Sequence, residues 1–185
     1  MIALSGLGPA DRHRAVATGF GDVVATVPDW SAQTPVADWQ AADVVDHLLT
    51  WFPEFLGAGG IELASVSTDD RAAAWRSRSD EIQRLLDGPG AADEFAHPMI
   101  GTLPLAAAVD QFYSADVFMH TWDLAQAAGV EHDLDPEFAG MLHAGMQPIE
   151  EMLRGSGQYG PAVPVPADAG PVDRLMGFIG RDPNR

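Results

Sequence analysis

Apolar residues in this 185-residue chain recur at intervals of three and four, in blocks cut apart by proline and glycine. That spacing puts them on one face of an α-helix, and no run shows the sustained period-two alternation of a strand series. The pattern predicts helices near 9–27, 41–57, 69–87, 105–128 and 135–154, and a short amphipathic turn at 172–179. Pro9 suits the first helical position of the first, where a missing N–H is no loss. In the second, Val44, Val45, Leu48, Trp51, Phe52, Phe55 and Leu56 form the inward stripe, and Pro53 should bend the helix or end its regular bonding. Gly88–Gly90 stops the third, Gly129 ends the fourth, and Asp135-Pro136 opens the fifth. Residues 28–39 read as a loop and 157–171 as an extended Pro-rich tail. The expected fold is all-α: one domain over 1–185, a bundle of four long helices with a short terminal helix.

The inventory of side chains narrows the chemistry. The chain holds no cysteine, and its ten basic residues are all arginine. Without lysine there is no Schiff base or phosphate-binding lysine; without cysteine there is no thiol nucleophile, thiolate metal site or disulfide. A net charge of −17 argues against nucleic acid, which needs clustered cations, and against an anionic membrane surface. No apolar run reaches the ~20 residues of a membrane span, and the N-terminal residues lack a secretory pattern. The expectation is a soluble, cytoplasmic protein. No helix face is distinctive enough to specify a homodimer, which stays open.

Two places set expensive polar groups on faces that should be apolar. His47 lies on the stripe of Val44, Leu48 and Trp51. Asp116 and His120, one helical turn apart, share a stripe with Val109, Phe112, Tyr113 and Leu124. A buried carboxylate must be paired, hydrogen-bonded or bound to a metal. An isolated Asp-x-x-x-His pair can satisfy itself by one hydrogen bond. The inward His47 on another helix adds a second imidazole, and two histidines with a carboxylate are a ligand set for zinc, iron or nickel with an open position. Asp123, three residues after His120, can replace Asp116 as ligand or can orient the His120 ring; helix spacing does not choose.

At these residues the sequence resembles a known family. Thr34-Pro35-Val36-Ala37-Asp38-Trp39 with Asp43-Val44-Val45-Asp46-His47-Leu48 is similar to the first metal-histidine segment of the mycothiol-dependent maleylpyruvate isomerase-like proteins of actinobacteria, within the DinB/YfiT-like metal-binding bundles. The run from Asp116 to Ala125, with His120-Thr121-Trp122-Asp123-Leu124-Ala125, is similar to that family's second metal segment. Tyr159-Gly160-Pro161, Asp173-Arg174-Leu175 and Gly180-Arg181-Asp182-Pro183 resemble the ending of one branch. The resemblance implies a DinB-like four-helix bundle with a divalent metal, usually zinc, on His47, Asp116 and His120. Asp116 stands where the isomerase has glutamate and many DinB proteins a third histidine. It further implies a low-molecular-weight thiol, mycothiol, as cofactor, a small electrophilic substrate, and transferase or isomerase chemistry. The family also uses a pocket arginine; Arg76 and Arg78 are the candidates, set against a solvated face of the third helix. A metal-dependent hydrolase and a non-catalytic metal-binding or interaction bundle are the alternatives.

The remaining candidates read as structural. His97 sits before the long helix and reads as a surface-loop histidine. His13, His132 and His143 have no partner pattern. Trp122 reads as core, and no Gly-x-Ser-x-Gly elbow supports serine hydrolysis.

Overall fold

Pro9 at the first position of α1 (Pro9–Val24) and Asp11 in its first turn fit the exposed N–H groups and positive end of the helix. The structure, a computed structural model, describes residues 2–184 and is mostly helical with one small two-stranded sheet. Among the described residues, no helix is long and apolar enough to cross a membrane. The chain divides into two compact units: Leu7–His132, and the residues up to Gly6 together with those from Asp133 onward.

In the larger unit, α2 (Ala41–Ala58) begins where the Gln40 N–H donates to Asp43 Oδ2 at 2.8 Å. It runs through Pro53 without ending. α3 (Arg71–Asp87) begins under Asp70, whose carboxylate accepts from the Ala73 N–H. The predicted 105–128 helix is helical throughout but in three pieces: α4 (Leu105–Ala108), a π-helical turn over Val109–Ser114, and α5 (Ala115–Ala128). Gly129 closes α5 in the left-handed conformation, at φ 67°. Both α1 and α2 pack on α3 and α5. Their shared core holds Phe20, Leu48, Phe52, Trp75, Ile82, Tyr113 and Phe118, all essentially sealed from solvent.

A hairpin departs from the helical expectation. β1 (Glu94–His97) pairs antiparallel with β2 (Gly101–Pro104), Phe95 opposite Leu103. β1 does alternate, with Phe95 and His97 inward, but four residues are too few for a period to stand out. His97 is therefore buried, not a surface-loop residue. Its ring stacks on Phe55 at 4.2 Å, and its Nδ1 accepts from the Met99 N–H. Phe95 lies over Gly59, just past the end of α2, so closely that a Cβ there would fall 2.1–2.9 Å from the ring.

In the smaller unit, α6 (Pro136–Met146) starts beneath Asp135, whose two oxygens accept from the Glu137 and Leu4 N–H groups. The predicted 135–154 helix is interrupted by a 3-10 turn, Gln147–Ile149, before α7 (Glu150–Gly155). Pro148 lies in that turn, removing a donor and crowding the preceding carbonyl. α8 (Pro171–Phe178) packs on α6 through Leu175 and Met176.

His13 is a buried polar residue of the α1 core. Gln83 Nε2 donates to the Ala10 carbonyl and to Asp87, so its Oε1 accepts from His13 Nδ1–H at 2.8 Å. Burial holds His13 below its ordinary pKa, outweighing the hydrogen bond to Gln83 that raises it. The folded state thus binds fewer protons than the unfolded one between the two values. This contribution to stability is complete above about pH 6.5 and is lost as pH falls toward the lower folded-state value. In urea unfolding, His13→Gln should flatten the stability decline that sets in as pH falls below about 6.5. Gly59→Ala should destabilise by about 1–3 kcal/mol through the Phe95 clash. Gly60→Ala, at φ 88° with open space around it, should cost about 1 kcal/mol, from backbone strain alone.

Candidate metal centre

Helix α2 sends Val44, Val45 and Leu48 into the core and leaves His47 at its margin, with 29% of the side chain exposed. Helix α5 carries Asp116 and His120 one turn apart, 18% and 7% exposed. The packing of α2 on α5 brings the three together. His47 Nε2 lies 3.2 Å from Asp116 Oδ2, and His120 Nε2 lies 3.5 Å from Asp116 Oδ1. One ligand atom from each residue falls within 4.8 Å of the others, so the group can hold a metal ion.

Asp123 fixes which ring nitrogen of His120 carries a proton. Its carboxylate is fully buried and lies 2.9 Å from His120 Nδ1. An ionised carboxylate only accepts, so Nδ1 carries the proton and, in the neutral ring, Nε2 offers a lone pair toward Asp116. Asp123 therefore sits at the ring nitrogen opposite the three-residue group and orients His120.

The donor set fits a small divalent ion. Two ligand atoms bound at 2.0–2.1 Å in a tetrahedron stand about 3.3–3.4 Å apart. Both imidazole–carboxylate separations lie on either side of that value. A neutral His120 Nε2 and the Asp116 carboxylate are both acceptors, so their approach calls for a positive charge between them, a proton or a cation. Burial pushes the Asp116 carboxyl up, but this is outweighed by the charge that His120 carries when protonated, the hydrogen bond and protonated charge of His47, and a weaker pull from Trp51. Its pKa ends below the ordinary value. The Trp51 indole N–H makes no regular hydrogen bond of its own.

Two indoles enclose the histidines. Trp39 lies 5.6 Å from His120, nearly parallel at 16°, and 5.0 Å from His47; Trp51 stacks on the other ring at 6.0 Å. Trp39 comes from the 28–39 loop, held by the Thr34 N–H donating to the Trp39 carbonyl and turned by Asp38 in the left-handed region at φ 65°. Sequence spacing gave no role to Trp39, because a loop residue has no periodicity to read. The residue before it, an aspartate able to adopt a left-handed turn, was the available signal.

Neither candidate arginine joins the group. Arg78 is buried, so a solvated position is wrong for it. It pairs with Glu81 at 2.6 Å and donates to the Ala64 carbonyl at 2.8 Å. Arg76 is exposed and lines a concavity of about 320 Å³ between α1 and α3, which shares no residue with the histidine–aspartate group. That concavity mixes acids and arginines without converging ligands, whereas the group able to hold a metal ion lies between α2 and α5.

The fold and the site together define a mostly helical protein carrying a two-histidine, one-aspartate group able to hold a metal ion. No protein-family model matches the chain. It is similar to "Uncharacterized protein Rv0738" and "Uncharacterized protein MT0763", one from each of two strains of Mycobacterium tuberculosis. Each is 26% identical over 181 residues, covering 95% of this chain and 98% of the relative. No solved structure matches.

Replacing the charged, acceptor-only partner of His120 by an amide that can also donate tests the orienting role of Asp123. Asp123→Asn should weaken zinc affinity about 10–100-fold, read by competition against a chromogenic chelator. Asp43→Asn, at the start of α2, should leave it unchanged.

Proposed function

We propose that this chain is a metal-dependent, thiol-using transferase or isomerase built on a DinB-like four-helix bundle. His47, Asp116 and His120 would hold a zinc ion. The cofactor is a low-molecular-weight thiol such as mycothiol, and the substrate a small electrophile. The observation that carries this is the His120–Asp123 pair: it presents His120 Nε2 toward the carboxylate of Asp116, beside His47, in a spacing suited to one small cation. The packing of α1 and α2 on α3 and α5 supports the bundle assignment, together with the resemblance of the His47 and His120 segments to those of the mycothiol-dependent family.

The chain's own residues divide the work. Asp123 fixes the His120 ring, so His120 Nε2 needs little reorganisation to bind an ion. Asp116 offers a carboxylate held in its charged form. His47 keeps enough exposure to adjust and leaves one side of the group open to solvent. Trp39 and Trp51 narrow the approach and exclude water from the edges of both imidazoles. An ion held here supplies Lewis acidity, lowering the pKa of an incoming thiol and polarising an electrophile. Thiol chemistry in a chain without cysteine would draw its thiol from outside, which is compatible with this reading.

Elemental analysis of untagged protein should find about one zinc per chain, and His47→Ala, Asp116→Ala and His120→Ala should each abolish it. Bound metal should stabilise the parent by about 3–4 kcal/mol at 100–1,000 times Kd, and thermal melts of the three variants should lose that response. Turnover of an electrophile should require added thiol. Equal turnover without thiol would make the protein a hydrolase, and metal binding with no turnover a non-catalytic metal protein.

A further inference from the structure

The aromatic side chains of the Leu7–His132 unit fall into two groups. Most are sealed in the core, among them Phe20, Phe52, Trp75 and Tyr113. Those that keep exposed surface are Trp30, which the Arg71 guanidinium covers at 5.5 Å, and Trp39, Trp51, Phe55 and Phe112. The last four are contiguous with the histidine–aspartate group. Trp39 and Trp51 touch His47, Trp51 lies 5.9 Å from Phe55, and Phe55 lies 5.4 Å from Phe112. Apolar surface left in one row beside a polar group is the usual make-up of a small-molecule site, where flat walls bind the body and a few polar groups fix the reactive end.

Charge decides what kind of body fits. The unit's arginines are engaged elsewhere: Arg12 on Asp110, Arg14 on Asp87, Arg71 on Asp46, Arg78 on Glu81 and Arg84 on the Asp80 carbonyl, while Arg76 faces the α1–α3 concavity. With no lysine in the chain, no cation of this unit is offered bare to the aromatic row. A carboxylate on the substrate body would lose its hydration there and gain no partner.

We propose that this site takes a small molecule with a flat, uncharged apolar body, seated against Trp39, Trp51, Phe55 and Phe112 with its reactive end at His47, Asp116 and His120, and that it disfavours dicarboxylates. The inference rests on the metal-dependent reading above. It assigns Trp39 and Phe112 as specificity-determining residues, one from the 28–39 loop and one from the π-helical turn.

Three probes with one metal-binding head test it on the zinc-loaded protein: acetohydroxamic acid, benzohydroxamic acid and succinic acid monohydroxamate. Benzohydroxamic acid should bind at least about tenfold tighter than acetohydroxamic acid, as expected from partly covering a phenyl ring. The succinate probe should bind no tighter than acetohydroxamic acid. Trp39→Ser and Phe112→Ser, on separate elements so that misfolding of one leaves the other, should each reduce the phenyl advantage to below about threefold. Equal affinity for the first two probes, tighter binding of the succinate probe, or an undiminished phenyl advantage in both folded variants would overturn the proposal. If the protein takes up no zinc, the metal-dependent reading fails separately. The aromatic wall is then decided on the metal-free chain by ligand-observed NMR: benzamide contact without acetamide contact supports it, and no preference between them overturns it.

Discussion

The arrangement of the long helix depends on one buried charge, the Asp123 carboxylate. It has no exposed surface, and an unpaired carboxylate at such a place would cost several kcal/mol or give up its charge by taking a proton. The His120 Nδ1–H relieves that cost. The bond runs between residues three apart on one helix, so forming α5 brings the two groups within reach. Its consequence reaches beyond stability. Once Nδ1 is committed, Nε2 must face the opposite way, toward Asp116, and the carboxylate there meets a lone pair as well as His47. A local requirement of the core thus produces a group that gains from a cation.

The same logic explains why the site lies on helices and only its cover on a loop. His47 on α2 and Asp116 and His120 on α5 are held by packed cores on both helices, Val44, Val45 and Leu48 on one and Val117, Phe118 and Leu124 on the other. Geometry fixed this way is more exact than a loop gives. The π-helical turn before α5 adds a residue to the helical repeat, and π-turns commonly re-aim side chains at functional sites. Here Tyr113 and Ser114 are buried within it while Phe112 stays at the margin. Phe112 comes to face Phe55 at the edge of the site, while Asp116 and His120 keep their regular helical spacing beyond the turn.

Much of this was legible in the sequence, because helices declare themselves by period. On the stripe through Val44, His47, Leu48 and Trp51, Val44 and Leu48 do point inward while His47 and Trp51 lie at the margin of the core. The four-residue step from Asp116 to His120 does put both on one face, with His120 the more buried. The choice between Asp116 and Asp123 was not legible, since both lie within a turn of His120 and only the ring orientation separates them. His97 and Arg78 were misread for opposite reasons. A four-residue strand is too short to show that His97 points inward. Arg78 sits among charged neighbours on α3, and only the passage of Ala64 and Glu81 beside it makes burial tolerable through hydrogen bonds. Pro148 and Pro53 show the limit of a local rule: one proline accompanies a break in its helix, and the other lies in a helix that continues.

The net charge of −17 acquires a more specific meaning beside this geometry. With arginines largely engaged by carboxylates and backbone carbonyls, the cations act as internal braces, and the excess acids set the long-range field. A strongly negative field slows the approach of anions and raises the local concentration of cations, an effect that falls with added salt. Both trends suit the proposed reading, in which a divalent ion is held beside indole and phenyl surface. A dicarboxylate would meet repulsion at long range and find no bare arginine of this unit on arrival. A neutral aromatic body would meet neither obstacle, because its contact with Trp39, Trp51, Phe55 and Phe112 depends on removing apolar area from water and is insensitive to the field. On the proposed reading, charge at long range and apolar contact at short range favour the same class of small molecule.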